Sequence, residues 1–215
     1  MIKESLQPRP MLNVKTKKNI LLDFERMEGL YTGFYYFNLH FGKSLLKLAG
    51  GSLDFSFYLV QSQFGMFGQN VRYESSKSFT KPKNNFLNFF KKSSPAEYDI
   101  IHISDQHSRI KPVNKDSKIL LTIHDLNYLV ELSNPNDFEE ERKKHQRILD
   151  MADHIVCVSN FSKKTVLENL DTKGKPIDVI YQGCELAEFE TVDKPHYIPK
   201  GPFLFAMSNV LPKKN

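Results

Sequence analysis

The feature that most constrains this chain is a series of short apolar runs separated by amphipathic stretches. The runs are NILLDF (19–24), DFSFYLV (54–60), NVRYE (70–74), DIIHIS (99–104), KILLTIH (118–124), HIVCVS (154–159), IDVIY (177–181) and FLFAM (203–207). Most are continuously apolar and do not alternate, as strands covered on both faces do. Strand, helix, strand repeated along a chain predicts an α/β fold: a Rossmann-like, doubly wound, mainly parallel sheet flanked by helices.

The intervening stretches carry helical periodicity. In TGFYYFNLHFGKSLLKLAGG, Phe34, Phe37, Phe41, Leu45 and Leu48 recur every three or four residues and are expected to line one buried face, with Gly50-Gly51 as the stop. NDFEEERKKHQRILDMAD opens with acidic residues and offers Glu139–Lys143 and Glu140–Lys144 as i,i+4 pairs. Its apolar stripe of Phe138, Ile148 and Ala152 is thin, which suits a helix at the surface. In SNFSKKTVLENL, Ser159 or Asn160 is the expected cap, and Phe161, Val166 and Leu170 are expected to face inward.

Two segments depart from the pattern. Residues 77–95, KSFTKPKNNFLNFFKKSSP, interleave lysines with phenylalanines. Residues 186–202 are polar and proline-bearing and read as a linker. The division expected from sequence is an extension at 1–18, an α/β domain at 19–185, that linker, and at 203–215 the opening strand and turn of a second domain.

Composition bounds the function classes. The formal net charge of +5 is mild, and the basic residues are dispersed except at 77–92, with no nucleic-acid-binding motif, so no nucleic-acid partner is expected. Cys157 and Cys184 stand in strand-like runs without Cys-x-x-Cys spacing and are expected as buried, reduced thiols. The N-terminus lacks a signal-peptide apolar core, and no run approaches the roughly 20 apolar residues that span a bilayer. A cytoplasmic protein is expected.

In an open α/β sheet, ligands bind beyond the carboxyl ends of the strands. The residues there are 25–33, 104–109, 124–127, 159–162 and 182–185, which bring His107, Arg109, His124 and Asp125 into view. ERMEGLYTG carries Gly29 and Gly33 before a helix, a spacing that allows close backbone approach to a phosphate but equally serves as two turn glycines. His124 at a strand end could bond a sugar hydroxyl or move a proton, or simply pack there. His102, inside a run, reads as structural. No metal-ligand cluster, nucleophile elbow or phosphate-binding glycine-lysine loop is present, and no metal is expected.

The order of several segments resembles the large retaining glycosyltransferase family 4, built as two Rossmann-like domains in the GT-B arrangement. KILLTIHDL is similar to that family's strand ending in His-Asp-Leu. ADHIVCVSNFSKKTVLENL is similar to its strand and Val-Ser-x-Phe-Ser helix start. IDVIYQGCE is similar to the strand closing the N-terminal domain, and GPFLFAMSNVLPKKN to the opening of the C-terminal domain. The likeness runs from about Asn19 to Asn215 and is clearest from Lys118.

The resemblance implies a sugar transferred from a nucleotide-diphosphate sugar, as co-substrate, to a glycan or lipid-linked acceptor, with retention and without a metal or other cofactor. It implies that His124 contacts the transferred sugar. It places Thr32 and Gly33 in the loop near donor phosphates and acceptor, and Lys214 with Asn215 or Lys213 at the diphosphate. His107, Arg109 and Asp125 become candidates for acceptor binding. Residues 77–95 become a candidate peripheral contact with the inner face of a membrane, or else a solvated loop. Two departures stand out: Ser208 where many members have arginine, and Gln182-Gly183 where Asn-Gly is usual. The family's glutamate pair lies in a C-terminal domain beyond these residues, so the chain alone is expected to be inactive. The alternative is a non-catalytic α/β module that binds a sugar or nucleotide.

Overall fold

The structure is a computed structural model and describes residues 17–30, 32–49, 51–75, 98–110, 116–183 and 196–204. Among these residues seven strands form one sheet: β1 (Lys18–Asp23), β2 (Leu53–Tyr58), β3 (Arg72–Glu74), β4 (Ile100–Ile103), β5 (Lys118–Ile123), β6 (His154–Cys157) and β7 (Ile177–Val179). Their spatial order is β3-β2-β1-β4-β5-β6-β7, and each neighbouring pair is parallel. The helices are α1 (Gly33–Leu48), α2 (Tyr128–Glu131), α3 (Pro135–Met151) and α4 (Asn160–Asn169), with short 3-10 turns at Glu25–Glu28 and Gln61–Gln63. This is the Rossmann-like α/β sheet expected from the apolar runs.

The sheet is covered on both faces because its side chains alternate. Ile20, Leu22, Phe55 and Phe57 join Phe24, Met27 and Phe67 in one core, against which Leu39, Phe41 and Leu45 of α1 pack. Leu21, Ile101, Ile103, Leu121, Ile123 and Ile155 point the other way, into a core shared with Ile148 and Leu149 of α3 and Val166 of α4. Continuous apolar runs are what such two-sided burial demands.

Gly42 is where α1 comes closest to its core. A Cβ there would sit 2.5 Å from Phe67 Cε1 and 2.9 Å from Phe24 Cε2, so only glycine lets the helix seat on those rings. The face α1 buries is rotated from the expected one. Asn38 and Gly42 are its buried positions, whereas Leu48 is exposed and Phe34 and Phe37 turn toward the carboxyl edge of the sheet. The α4 expectation also needs correcting. Ser162, Val166 and Leu170 are buried, but Phe161 is 79 % exposed. Phe161 and Ser162 are consecutive, about 100° apart around the helix, so a stripe read from hydrophobicity alone admits Phe161 while the polar but small Ser162 takes its place.

Other expectations hold. Ser159 caps α4 by accepting from Ser162 N, the two i,i+4 ion pairs form on α3, and Cys157 is buried with its thiol pushed up to about 11 by burial. The α3 helix begins a turn earlier than its acidic run, at Pro135 behind an Asn134 cap. His102 is structural, as expected. Its Nε2 shares a 2.8 Å hydrogen bond with Thr122 Oγ1, and burial drives its pKa down to about 4, so it stays neutral. Phe203 and Leu204 are exposed and in no strand, and the rest of the 203–207 run lies outside the described residues. Cys184, 77–95, Lys214 and Asn215 lie outside them too. No described helix is long and apolar enough to cross a membrane.

Candidate active site

Because every strand runs the same way, all the post-strand loops emerge at one edge. The strand order reverses between β1 and β4, and there the two loops part to leave a crevice. Here that switch point is bridged by polar contacts. Ser104 Oγ donates to the Asp23 carbonyl at 2.6 Å, and Ser108 Oγ donates to the Asp23 carboxyl. Arg26 Nε meets Asp105 at 3.1 Å, and Arg109 reaches both Glu25 and Glu28 at 3.3 Å.

His124 follows β5 directly, and six neighbours fix it. Its backbone N–H donates to Gln106 Oε1 at 3.0 Å, while the Gln106 amide donates to the Asp125 carbonyl at 3.0 Å. Ser162 Oγ, at the start of α4, donates to the His124 carbonyl at 2.8 Å. This bond ties the His-Asp-Leu segment to the Val-Ser-Asn-Phe-Ser segment, and so gives a physical reason for two short motifs to travel together. On the ring, Nε2–H donates to the Ser104 carbonyl at 2.9 Å. Nδ1 accepts from the Gln182 amide at 2.8 Å. Phe34 and Phe37 stand edge-on to the imidazole, each with its centroid 4.9 Å away. Burial lowers the pKa of His124, because charging a ring wedged between phenylalanines forfeits hydration; the nearby Asp105 and Asp125 only partly offset this. The ring is therefore neutral at physiological pH.

His107 has the opposite character. Its Nδ1 is 3.0 Å from Asp105, whose carboxylate raises the imidazole's pKa against the effect of burial. Arg109 is exposed and held in its ion pairs with the first loop. The Asp125 carboxylate caps its own turn, accepting from the backbone N–H of Asn127 at 3.1 Å and from its side-chain amide at 3.0 Å. Thr32 caps α1 by accepting from Tyr35 N at 3.2 Å and donates to the Gly29 carbonyl at 2.8 Å. Nothing lies within 4 Å of where a Cβ would sit at Gly33, so no protein atom requires glycine at this helix start. Among the described residues, no three His, Cys, Asp or Glu side chains converge as a metal-holding group.

The structure thus brings His124, His107 and Asp125 to one edge, with Thr32 and Gly33 at the start of the helix whose first turns cover the His124 ring. Sequence reading did not single out Ser104 or Gln106, and named Gln182 only as a departure from Asn-Gly, although each stands just after a strand. It also assigned Phe34 and Phe37 to the core. Polarity at a strand end was the available signal for the first three; nothing in the periodicity distinguishes a phenylalanine that covers a histidine from one that covers a sheet.

The sequence model of Glycosyltransferase Family 4 matches residues 68–188, more than half of the chain. The chain belongs to glycosyltransferase family 4. No curated protein matches it. The region matching family 4 runs from just before β3 to just past β7, so it contains His107, Arg109, His124, Asp125 and Gln182 but not Thr32, Gly33 or Lys214. A family 4 domain with this sheet places His124 at the carboxyl edge, where α/β sheets bind ligands.

Proposed function

We propose that the polypeptide carrying this chain is a glycosyltransferase that moves a sugar from a nucleotide-diphosphate sugar to a glycan or lipid-linked acceptor, with retention and without a metal ion. The α/β domain at 19–185 holds the acceptor side. The segment 186–202 links it to a donor domain that opens at 203–215, where Lys214 and Asn215 stabilise the leaving diphosphate. The single observation that carries this reading is the state of His124: neutral, fixed from behind by a backbone carbonyl, and covered by two phenylalanines at the edge of the sheet. A neutral imidazole held this way can accept a hydrogen bond from a sugar hydroxyl without placing a positive charge beside an oxocarbenium-like centre.

The remaining residues support that role. The open position at Gly33 lets a phosphate or sugar oxygen approach the backbone at the α1 start. His107 and Arg109 supply hydrogen-bond donors on the acceptor side, and Asp125 shapes the turn after His124. The Lys/Phe-rich segment 77–95 serves as a peripheral contact with an anionic membrane at the cytoplasmic face. Closure of the two domains excludes water and limits hydrolysis.

The test is release of nucleoside diphosphate from a panel of UDP- and GDP-sugars. The natural polypeptide, supplied with glycan or lipid-linked acceptors, should turn over at least one of them, and the 215-residue chain alone should turn over none. Turnover by the chain alone would overturn the division of labour. Binding without turnover by the natural polypeptide across the whole panel would favour a non-catalytic module.

A further inference from the structure

The His124 imidazole is hydrogen-bonded at both ring nitrogens, and the two partners differ in kind. The inner partner, the Ser104 carbonyl, can only accept, so Nε2 must carry the proton and Nδ1 the lone pair. Ser104 is itself 1 % exposed and bonded to the Asp23 carbonyl, so that side is rigid. The outer partner is the exposed amide of Gln182, which lies past β7 at the far edge of the sheet, 58 residues along the chain. Phe34 and Phe37 stand edge-on to the ring. Nδ1 is therefore the one polar position of His124 that a ligand can reach, and the Gln182 amide now occupies it.

We propose that Gln182 is a positioning residue for His124: its amide N–H holds the imidazole in the Nε2–H tautomer and yields Nδ1 to a substrate hydroxyl that makes the same bond. This rests on the reading that His124 serves the transferred sugar. A hydroxyl donating to Nδ1 reproduces the amide's hydrogen bond, so the exchange leaves no ring nitrogen unpaired, whereas a ligand without a donor there would strand a half-buried acceptor. Gln182 thus selects for a hydroxyl and against a deoxy position at that point of the sugar.

The test reads His124 directly, by ¹⁵N NMR of the ring nitrogens through a pH titration of this chain. The charged and titratable groups around the ring are Asp105, His107 and His102 from β4 and its loop and Asp125 from the β5 loop; α1 presents phenylalanines. A donor to Nδ1 stabilises the neutral ring, so Gln182→Leu, of similar size but unable to donate, should move the Nδ1 resonance toward that of an unbonded imine nitrogen and raise the titration midpoint. Gln182→Glu should raise it further, by accepting from a protonated Nδ1. Unchanged backbone amide resonances of β5 and β6 report that the variants fold. His124 resonances and midpoint unchanged in both folded variants would overturn the proposal while leaving the glycosyltransferase reading intact. A responsive ring together with full transfer by His124→Ala would leave the Gln182–His124 hydrogen bond standing and overturn the reading that His124 serves the transferred sugar.

Discussion

Nδ1 of His107 lies 3.0 Å from a carboxylate oxygen of Asp105, a side chain only 1 % exposed. Burial alone would push the Asp105 carboxyl up. The His107 ring and backbone N–H groups and the His107 and Arg26 charges outweigh it and hold the pKa below the ordinary 3.8. The same bond holds His107 above its ordinary 6.5. Asp105 therefore contributes stability that is present above pH 3.8 and lost as pH falls through its lower folded value. His107 contributes stability that is present below pH 6.5 and lost as pH rises through its higher folded value. Asp105→Asn should remove both effects, lower the His107 titration midpoint and cost about 1–3 kcal/mol by urea unfolding near pH 6. An unchanged midpoint for His107 would show that the contact is not made in solution.

Asp23 behaves in the opposite sense. Desolvation at the end of β1 raises its pKa to about 7, even though the Ser108 hydroxyl and Glu25 N–H favour its charged form. The folded state then holds a proton that the unfolded chain has released, so stability falls as pH rises from about 4 through about 7. Asp23→Asn keeps the acceptor for Glu25 N–H and removes the charge. It should flatten this slope and leave the protein on the order of 1–3 kcal/mol more stable at pH 8. Urea unfolding at pH 5 and pH 8 measures both, and a slope unchanged from wild type would contradict the assignment.

Gly42→Ala sets two terms against each other. Alanine improves helix propensity by about 1 kcal/mol, but its methyl would enter the space of the Phe67, Phe24 and Phe57 rings. Stacked Phe57 and Phe67, with centroids 4.1 Å apart, cannot yield without disturbing the core. The clash should win, with a net loss of about 1–3 kcal/mol seen as a lower melting temperature. A rise in melting temperature would mean that α1 does not seat as described.

Phe161→Ser should change unfolding free energy by less than about 0.5 kcal/mol, because the ring is exposed and the α4 cap belongs to Ser159. Val166→Ala, fully buried on the same helix, should cost about 1–3 kcal/mol. Equal losses in the two would restore the inward-facing Phe161 expected from hydrophobicity.

The contrast between Phe161 and Val166 shows what sequence could and could not convey. The sheet was legible because burial on both faces forces continuous apolar runs, and β1, β2, β4, β5 and β6 fall on them within a few residues. The rotation of α1 and α4 was not, since aromatic residues satisfy both a core and a ligand-facing surface. His124 was legible from its place after KILLTI. Its partners were not: Ser104, Gln106 and Gln182 are ordinary polar residues, brought to the ring only by the parallel order of β4, β5 and β7. Thr32 and Gly33 were legible as a helix start, and the structure shows the cap and the open glycine there.

The most direct measurement is the rate of sugar transfer by the natural polypeptide and its His124→Ala variant, compared at saturating nucleotide sugar and acceptor. If His124 serves the transferred sugar, transfer should fall by about 100-fold or more, with a melting temperature within a few degrees of wild type. Transfer at the wild-type rate by the folded variant would contradict the account and leave His124 a packing residue at the end of β5.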